Sequence, residues 1–198
     1  ECWVVFGVVV VEDGGGGVQG ALEFTARSQG AAGGRIRTVL GPHSPYMCPP
    51  AFLRQVADVA RERSLAIHIH LAESQEQVEN SLQRYGKTPA AHLEDCGILD
   101  APTVAGHALY LSDEDVAILA RHRATVAHCP ITYLKLAMGV NDLPRLLAAG
   151  VNVALGTDGP ASNNDMDMKA AVRFTALLQK HRAGDAEVLA GDLPLRLA

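Results

Sequence analysis

What the chain lacks narrows its function first. No run of Lys and Arg is long enough to make a basic patch, and 17 basic against 22 acidic residues leave a formal net charge of −5. Nucleic-acid binders carry such patches, so no nucleic-acid partner is expected. The longest apolar run, Cys2 to Val11, is far short of the ~20 residues that cross a bilayer. No basic segment precedes it as in a secretory signal, so it reads as a buried strand and no membrane association is expected. The cysteines are only four, Cys2, Cys48, Cys96 and Cys129. Without a C-x-x-C pair they indicate neither a disulfide framework nor a zinc ribbon, and they fit a reducing cytoplasm. An initiating Met is also missing: the sequence begins at Glu1 and stops inside a helical pattern, Pro194 to Ala198. Both features read as those of a fragment.

What is present is a core-forming pattern. Over 198 residues, 48% are apolar, enough for one domain with its own core. Short apolar runs rich in β-formers recur at Cys2–Val11, Arg35–Leu40, Leu65–Leu71, Thr103–His107, Ala124–His128 and Val151–Leu155. Between them apolar residues fall three and four apart, as in Phe52, Val56, Val59 and Ala60. Helix punctuation agrees. Pro50 suits a first turn; Ser74 with Gln77 suits a capping box, and Ser112 an N-cap with Leu111 and Val116 as a hydrophobic staple. Gly150 and Gly184 suit helix C-termini. Strands apolar throughout, each followed by a helix, predict a parallel sheet covered by helices.

Polar residues fall where such a sheet builds its sites. His43, His70, His107, His128 and Asp158 each lie at or just after the C-terminal end of an expected strand, the edge that carries chemistry in parallel α/β barrels. In Ile67-His68-Ile69-His70-Leu71-Ala72-Glu73, the alternation of a strand puts His68 and His70 on one face. Glu73 then sits at the turn into a helix. Asp158, between Thr157 and Gly159, could ligate a metal and take a proton from its water. Each has a plainer reading. His68 suits an interior histidine, Glu73 a first-turn acid favoured by the helix dipole, and Asp158 an Asx-turn. His107 and His128 could be structural histidines, and His92, His122 and His181 suggest exposed helical positions.

Gly15-Gly16-Gly17-Val18-Gln19-Gly20 satisfies the spacing of a dinucleotide fingerprint. The next strand, however, ends in Gly41-Pro42-His43, without the acid that would hold a ribose. A glycine-rich loop tip is the simpler reading, and a non-catalytic nucleotide-binding α/β module is the competing function of another class.

Taken in order, Gly41-Pro42-His43-Ser44-Pro45-Tyr46, His70-Leu71-Ala72-Glu73, Gly106-His107, His128-Cys129-Pro130, Leu134-Lys135-Leu136-Ala137 and Gly156-Thr157-Asp158-Gly159-Pro160-Ala161-Ser162-Asn163-Asn164 resemble the amidohydrolase superfamily. The nearest branch is that of the methylthioadenosine/S-adenosylhomocysteine deaminases and chlorohydrolases. The resemblance implies a (β/α)8 barrel of which residues 1–198 would hold strands three to eight, an incomplete TIM barrel in the α/β class. The first two strands with their His-x-His pair, the β-sandwich and the C-terminal end would be absent.

By the same resemblance His70 and Asp158 are metal ligands, with His107 as a third candidate. Glu73 is the proton-shuttling acid, His107 the histidine that holds the attacking water or tetrahedral intermediate, and His43 a substrate contact. His128 and Glu73 are further expected substrate contacts. The implied cofactor is one divalent ion, Zn2+ before Fe2+. The implied substrate is a small aminated heterocycle, a purine base or a nucleoside such as methylthioadenosine, with a chlorinated or aminated s-triazine as the alternative. A homo-oligomer is compatible with the pattern. Hydrolysis of a cyclic amide fits less well, because no lysine is placed to bridge two metals. Val18 stands near where some relatives that take adenosylhomocysteine carry an arginine, which points to short-tailed substrates. Thr132-Tyr133 replaces the Ser-Asn common before Leu-Lys-Leu, which points to an altered pocket rim.

Overall fold

A computed structural model describes the backbone of residues 4–10 and the whole of residues 17–198. Its six strands are β1 (Val4–Val10), β2 (Ile36–Pro42), β3 (Ala66–Leu71), β4 (Thr103–His107), β5 (Thr125–His128) and β6 (Asn152–Leu155). They form one sheet in the order β1-β2-β3-β4-β5-β6, and every pairing is parallel. The ends of the first expected strand, Cys2, Trp3 and Val11, lie outside the described residues, as do Gly15 and Gly16 of the glycine-rich segment. Gly17 to Gly20 open the helix Gly17–Ser28.

From β3 to β6, one face of the sheet packs on helices and the other carries the site. Ile67, Ile69 and Leu71 of β3, Ala105 of β4, Val126 of β5 and Val153 of β6 are buried with Leu53, Val56, Leu93, Leu119 and Leu146 from the helices. That layer is the core, and removal of its apolar surface from water is the main stabilising term. The opposite face is read from the register. His70 pairs with Gly106, Gly106 with Ala127, and Ala127 with Ala154. Paired residues of a parallel sheet share a face, so His70 has Gly106 directly beside it, with Ala127 and Ala154 continuing the same row of small residues across the sheet. A Cβ added at Gly106 would already stand 3.7 Å from the rings of both His68 and His70.

The helix boundaries follow local chemistry. Pro50 occupies the first turn of Pro50–Arg63, and Gly184 (φ 64°) closes Met168–Ala183. Ser112 and Asp115 form a full capping box. At Ser74 only half of the expected box is made. The hydroxyl accepts from the Gln77 amide at 3.2 Å, but the Gln77 side chain accepts from the amide of Glu73, at 2.9 Å. His92 corrects the expectation of exposure: it is buried, its ring stacked 4.0 Å from that of Tyr85. His122 is also half-buried, held between the carbonyl of Leu99 and the carboxylate of Glu94. No helix among the described residues is long and apolar enough to cross a membrane.

Candidate active site

The site is assembled one strand end at a time. β2 delivers His43, whose carbonyl accepts two hydrogen bonds from His70, from its amide at 3.0 Å and its Nδ1 at 2.7 Å. A carbonyl only accepts, so Nδ1 of His70 carries a proton, and Nε2 is the ring nitrogen turned to the site. The His43 ring lies 4.6 Å from that of His70. Burial, with the charge of His70 adding to it, holds His43 below its ordinary pKa. His68 is also depressed, by burial first and then by its histidine neighbours.

The turn after β3 places the acid. Ala72 has φ 44°, a left-handed backbone rare for an L-residue, and it directs the chain into Glu73. Tyr46, from the loop after β2, donates to Glu73 Oε2 at 3.4 Å. On the other side Glu73 Oε1 stands 3.8 Å from Nε2 of His107. His107, the last residue of β4, is buried, and its ring stacks on His70 at 5.5 Å with 18° between planes. Burial lowers its pKa, against the opposing pull of Glu73 and Asp158. At 3.8 Å this contact is too long for a hydrogen bond.

β6 leads through Gly156 and Thr157 to Asp158, again left-handed at φ 59°. Its Oδ2 accepts from Ser162 Oγ at 2.6 Å and Thr132 Oγ1 at 3.2 Å. Partial burial works against the carboxylate's charge. The Ser162 hydroxyl, the Gly159 amide, the charge of His107 and the Thr132 hydroxyl outweigh it and hold the pKa below the usual range. Both hydroxyls fall on Oδ2, which points to Oδ1 as the oxygen that would meet a metal.

His128 departs from its expected place on the pocket wall. It is fully buried, its Nδ1 bonded to Asn141 Oδ1 at 2.7 Å. Burial pushes its pKa down to about 4. It supports the site from behind and offers a substrate no exposed surface. Tyr133, also buried, accepts from the Cys129 amide at 2.8 Å and packs edge-on against the rings of His107 and His128.

The donor chemistry fits a divalent ion. A histidine whose Nδ1–H is tied to a carbonyl, leaving Nε2 free, is the usual state of a metal-ligating imidazole. An anchored, ionised carboxylate such as Asp158 is a matching donor. The number is short of a closed set: among the described residues no three His, Cys, Asp or Glu side chains stand as a ready metal group. Sequence reasoning gave Tyr46 and Ser162 no role and Thr132 none beyond the rim, and it missed Asn141. Tyr46 and Ser162 sit within the motifs and Thr132 between two of them; Asn141 has no such signal.

Comparison with known proteins places the chain in a family. The model of the amidohydrolase family matches residues 19–193. The 5-methylthioadenosine/S-adenosylhomocysteine deaminase of Desulforudis audaxviator is 47% identical over 89% of this chain, which spans 41% of that relative's length. An adenosine deaminase structure from Xanthomonas campestris with bound zinc superposes on 97% of this chain and 45% of its own, with TM-score 0.88 and 32% identity. A zinc complex of an atrazine chlorohydrolase from Arthrobacter aurescens gives TM-score 0.82 and 27% identity, over 91% of this chain and 40% of that one. The partial coverage fits an incomplete barrel. With the family model matched over most of its length, the chain belongs to the amidohydrolase family.

Proposed function

We propose that this chain carries most of the catalytic machinery of a metal-dependent hydrolytic deaminase acting on an aminated heterocycle, with methylthioadenosine-like nucleosides as the leading class. The observation that carries the reading is the meeting of Glu73 and His107, at 3.8 Å, beside His70 and the anchored Asp158. His70 Nε2 and Asp158 Oδ1 would hold the ion, with His107 as a further candidate. When bound, a divalent ion supplies Lewis acidity and lets a water deprotonate near neutral pH.

The residues divide the proton work. Asp158, kept ionised, accepts the proton of the attacking water. Glu73 starts protonated and gives its proton to the ring nitrogen beside the attacked carbon. It then takes the proton of the new hydroxyl on that carbon and passes it to the departing amine, and the proton held by Asp158 restores Glu73 at the end of the cycle. The water oxygen bonds to carbon, the C–N bond breaks, and ammonia leaves. His107 donates a hydrogen bond to the oxygen that gains charge, and His43 contacts the ring of the substrate. Val18 is buried in the core, which supports the preference for short-tailed substrates.

Likeness to the chlorohydrolase supports a second reading, in which chloride leaves instead of ammonia. Full-length protein containing this chain would be assayed for ammonia from methylthioadenosine, adenosine, guanine, aminotriazines and adenosylhomocysteine, and for chloride from chlorotriazines. Ammonia release from a purine nucleoside is expected. Chloride release alone would replace the reading with the second, and no turnover of any of them would sink both.

A further inference from the structure

Behind the site lies a buried polar network that the chemistry above does not use. Asn141, in the segment before the helix Leu143–Ala148, is 2% exposed. Its Nδ2 donates to two successive carbonyls, His107 at 2.5 Å and Ala108 at 2.8 Å. Both hydrogens are thereby used, so Oδ1 must accept, and His128 Nδ1 must be the donor across their 2.7 Å contact. The amide orientation follows from its partners. Asn141 is itself gripped through its main chain: its carbonyl accepts from Gln179 Nε2 at 2.9 Å, while Gln179 Oε1 accepts from the Leu143 amide at 3.2 Å.

The clamped carbonyls belong to an unusual turn. His107 has φ 67° and Ala108 φ 50°, two successive L-residues in the left-handed region that a Cβ disfavours. Such a turn persists only when its surroundings over-determine it. Its other ties run toward β3: the Ala108 amide donates to Leu71 O at 2.8 Å, and the Leu109 and Tyr110 amides donate to Ala72 O at 3.1 Å. On the carbonyl side the Asn141 amide is the tie. The direction of the His107 imidazole, toward Glu73 and over His70, depends on this backbone.

We propose that Asn141 is a positioning residue, which aims the His107 ring by clamping the left-handed turn beneath it. The part of the proposal that concerns turnover rests on the hydrolase reading above. The clamp itself does not.

The test uses full-length protein with Asn141→Ala, Asn141→Leu and, as the control, Gln179→Ala. The control breaks the same buried network but leaves the Asn141 side chain in place. The first readout is the ring NMR signal of His107 in 15N-histidine-labelled protein, assigned by its loss in His107→Gln. Both Asn141 variants are expected to shift it and to speed amide exchange at Leu109 and Tyr110, while Gln179→Ala lowers Tm with the ring signal in place. The second readout is turnover well below Tm. There kcat falls by between about tenfold and a hundredfold in the Asn141 variants with KM little changed, and is retained in Gln179→Ala. A His107 signal unmoved in a folded Asn141 variant overturns the proposal, as does an equal loss of kcat in Gln179→Ala. A wild type with no turnover would count against the hydrolase reading alone, and the NMR comparison would still decide the clamp. If Asn141→Ala does not fold, Asn141→Leu, which fills the volume, carries the same comparison.

Discussion

His70 and His43 are joined ring to main chain: the His43 carbonyl accepts from Nδ1 of the His70 ring at 2.7 Å. Removing either side chain should therefore have different effects. In full-length protein His70→Ala should lower zinc affinity by about 10–100-fold or more, the range seen when even outer supports of a ligand are lost. His43→Ala keeps its carbonyl and should leave zinc affinity nearly unchanged while raising KM. Metal retained after dialysis against a graded chelator distinguishes them, and equal losses would show that the His43 ring also holds the ion.

Glu73 is partly exposed, at 26% for its side chain, so its replacement should not unfold the protein. Glu73→Gln should lower kcat by about 10²–10⁴-fold, the usual contribution of a positioned general acid–base. Tyr46→Phe, which removes only the long 3.4 Å contact to Glu73, should cost much less. Ammonia release at saturating substrate measures both, and near-normal turnover in Glu73→Gln would remove Glu73 from the proton path.

Acid stability should report on His128. Its folded pKa is lowered to about 4 from 6.5, so the unfolded chain takes up the proton first. Stability is then unaffected above pH 6.5, falls as pH drops from 6.5 toward 4, and levels off below. The loss is on the order of 3 kcal/mol for this one group. His128→Asn removes the titration, so the difference between wild type and variant isolates it from the carboxylates. Urea midpoints at pH 7, 5.5 and 4.5 give that difference, and a pH-independent one would mean that His128 is not buried neutral.

Gly156 and Cys129 should behave as one unit. A Cβ at position 156 would lie 2.9 Å from Cys129 Sγ, and the strand leads directly to Asp158. Gly156→Ala should cost about 1–3 kcal/mol by overpacking, and Cys129→Ala should relieve part of it, leaving the double variant more stable than the sum predicts. Thermal unfolding of the four proteins closes the cycle; strict additivity would contradict the contact. The Cys129 thiol, pushed up to about 12 by burial, stays protonated throughout.

Much of this was legible in the residues. Uniform apolar runs fixed β2 to β6 to within a residue or two, because a strand covered on one side by helices and on the other by a packed interior admits few polar residues. His43, His70, His107 and Asp158 were visible because ionisable groups interrupt those runs at their ends. His92 was misread because a histidine on a helix looks solvent-facing until a partner such as Tyr85 is known to cover it. Asn141 was not legible at all. Asn141-Asp142 before Leu143-Pro144 reads as an ordinary turn, and nothing local shows that its amide reaches residues 34 and 33 positions earlier. Likewise Ser162 and Thr132 converge on Asp158 from 4 and 26 positions away, a meeting that only the folded sheet creates.

The sheet order has a consequence for how such a protein could be rebuilt. Because neighbours in the sheet are neighbours in the chain, each site residue arrives on its own consecutive strand-and-loop unit. Chimeras with a relative, cut within the helices, would exchange one contributor at a time and leave the others on their native supports. The exception is the β5 unit, which bears both His128 and Asn141 and whose Asn141 side chain reaches back to His107 in the β4 unit. A graft that splits those two units apart would inherit every candidate site residue and, by the clamp proposed above, still misdirect His107.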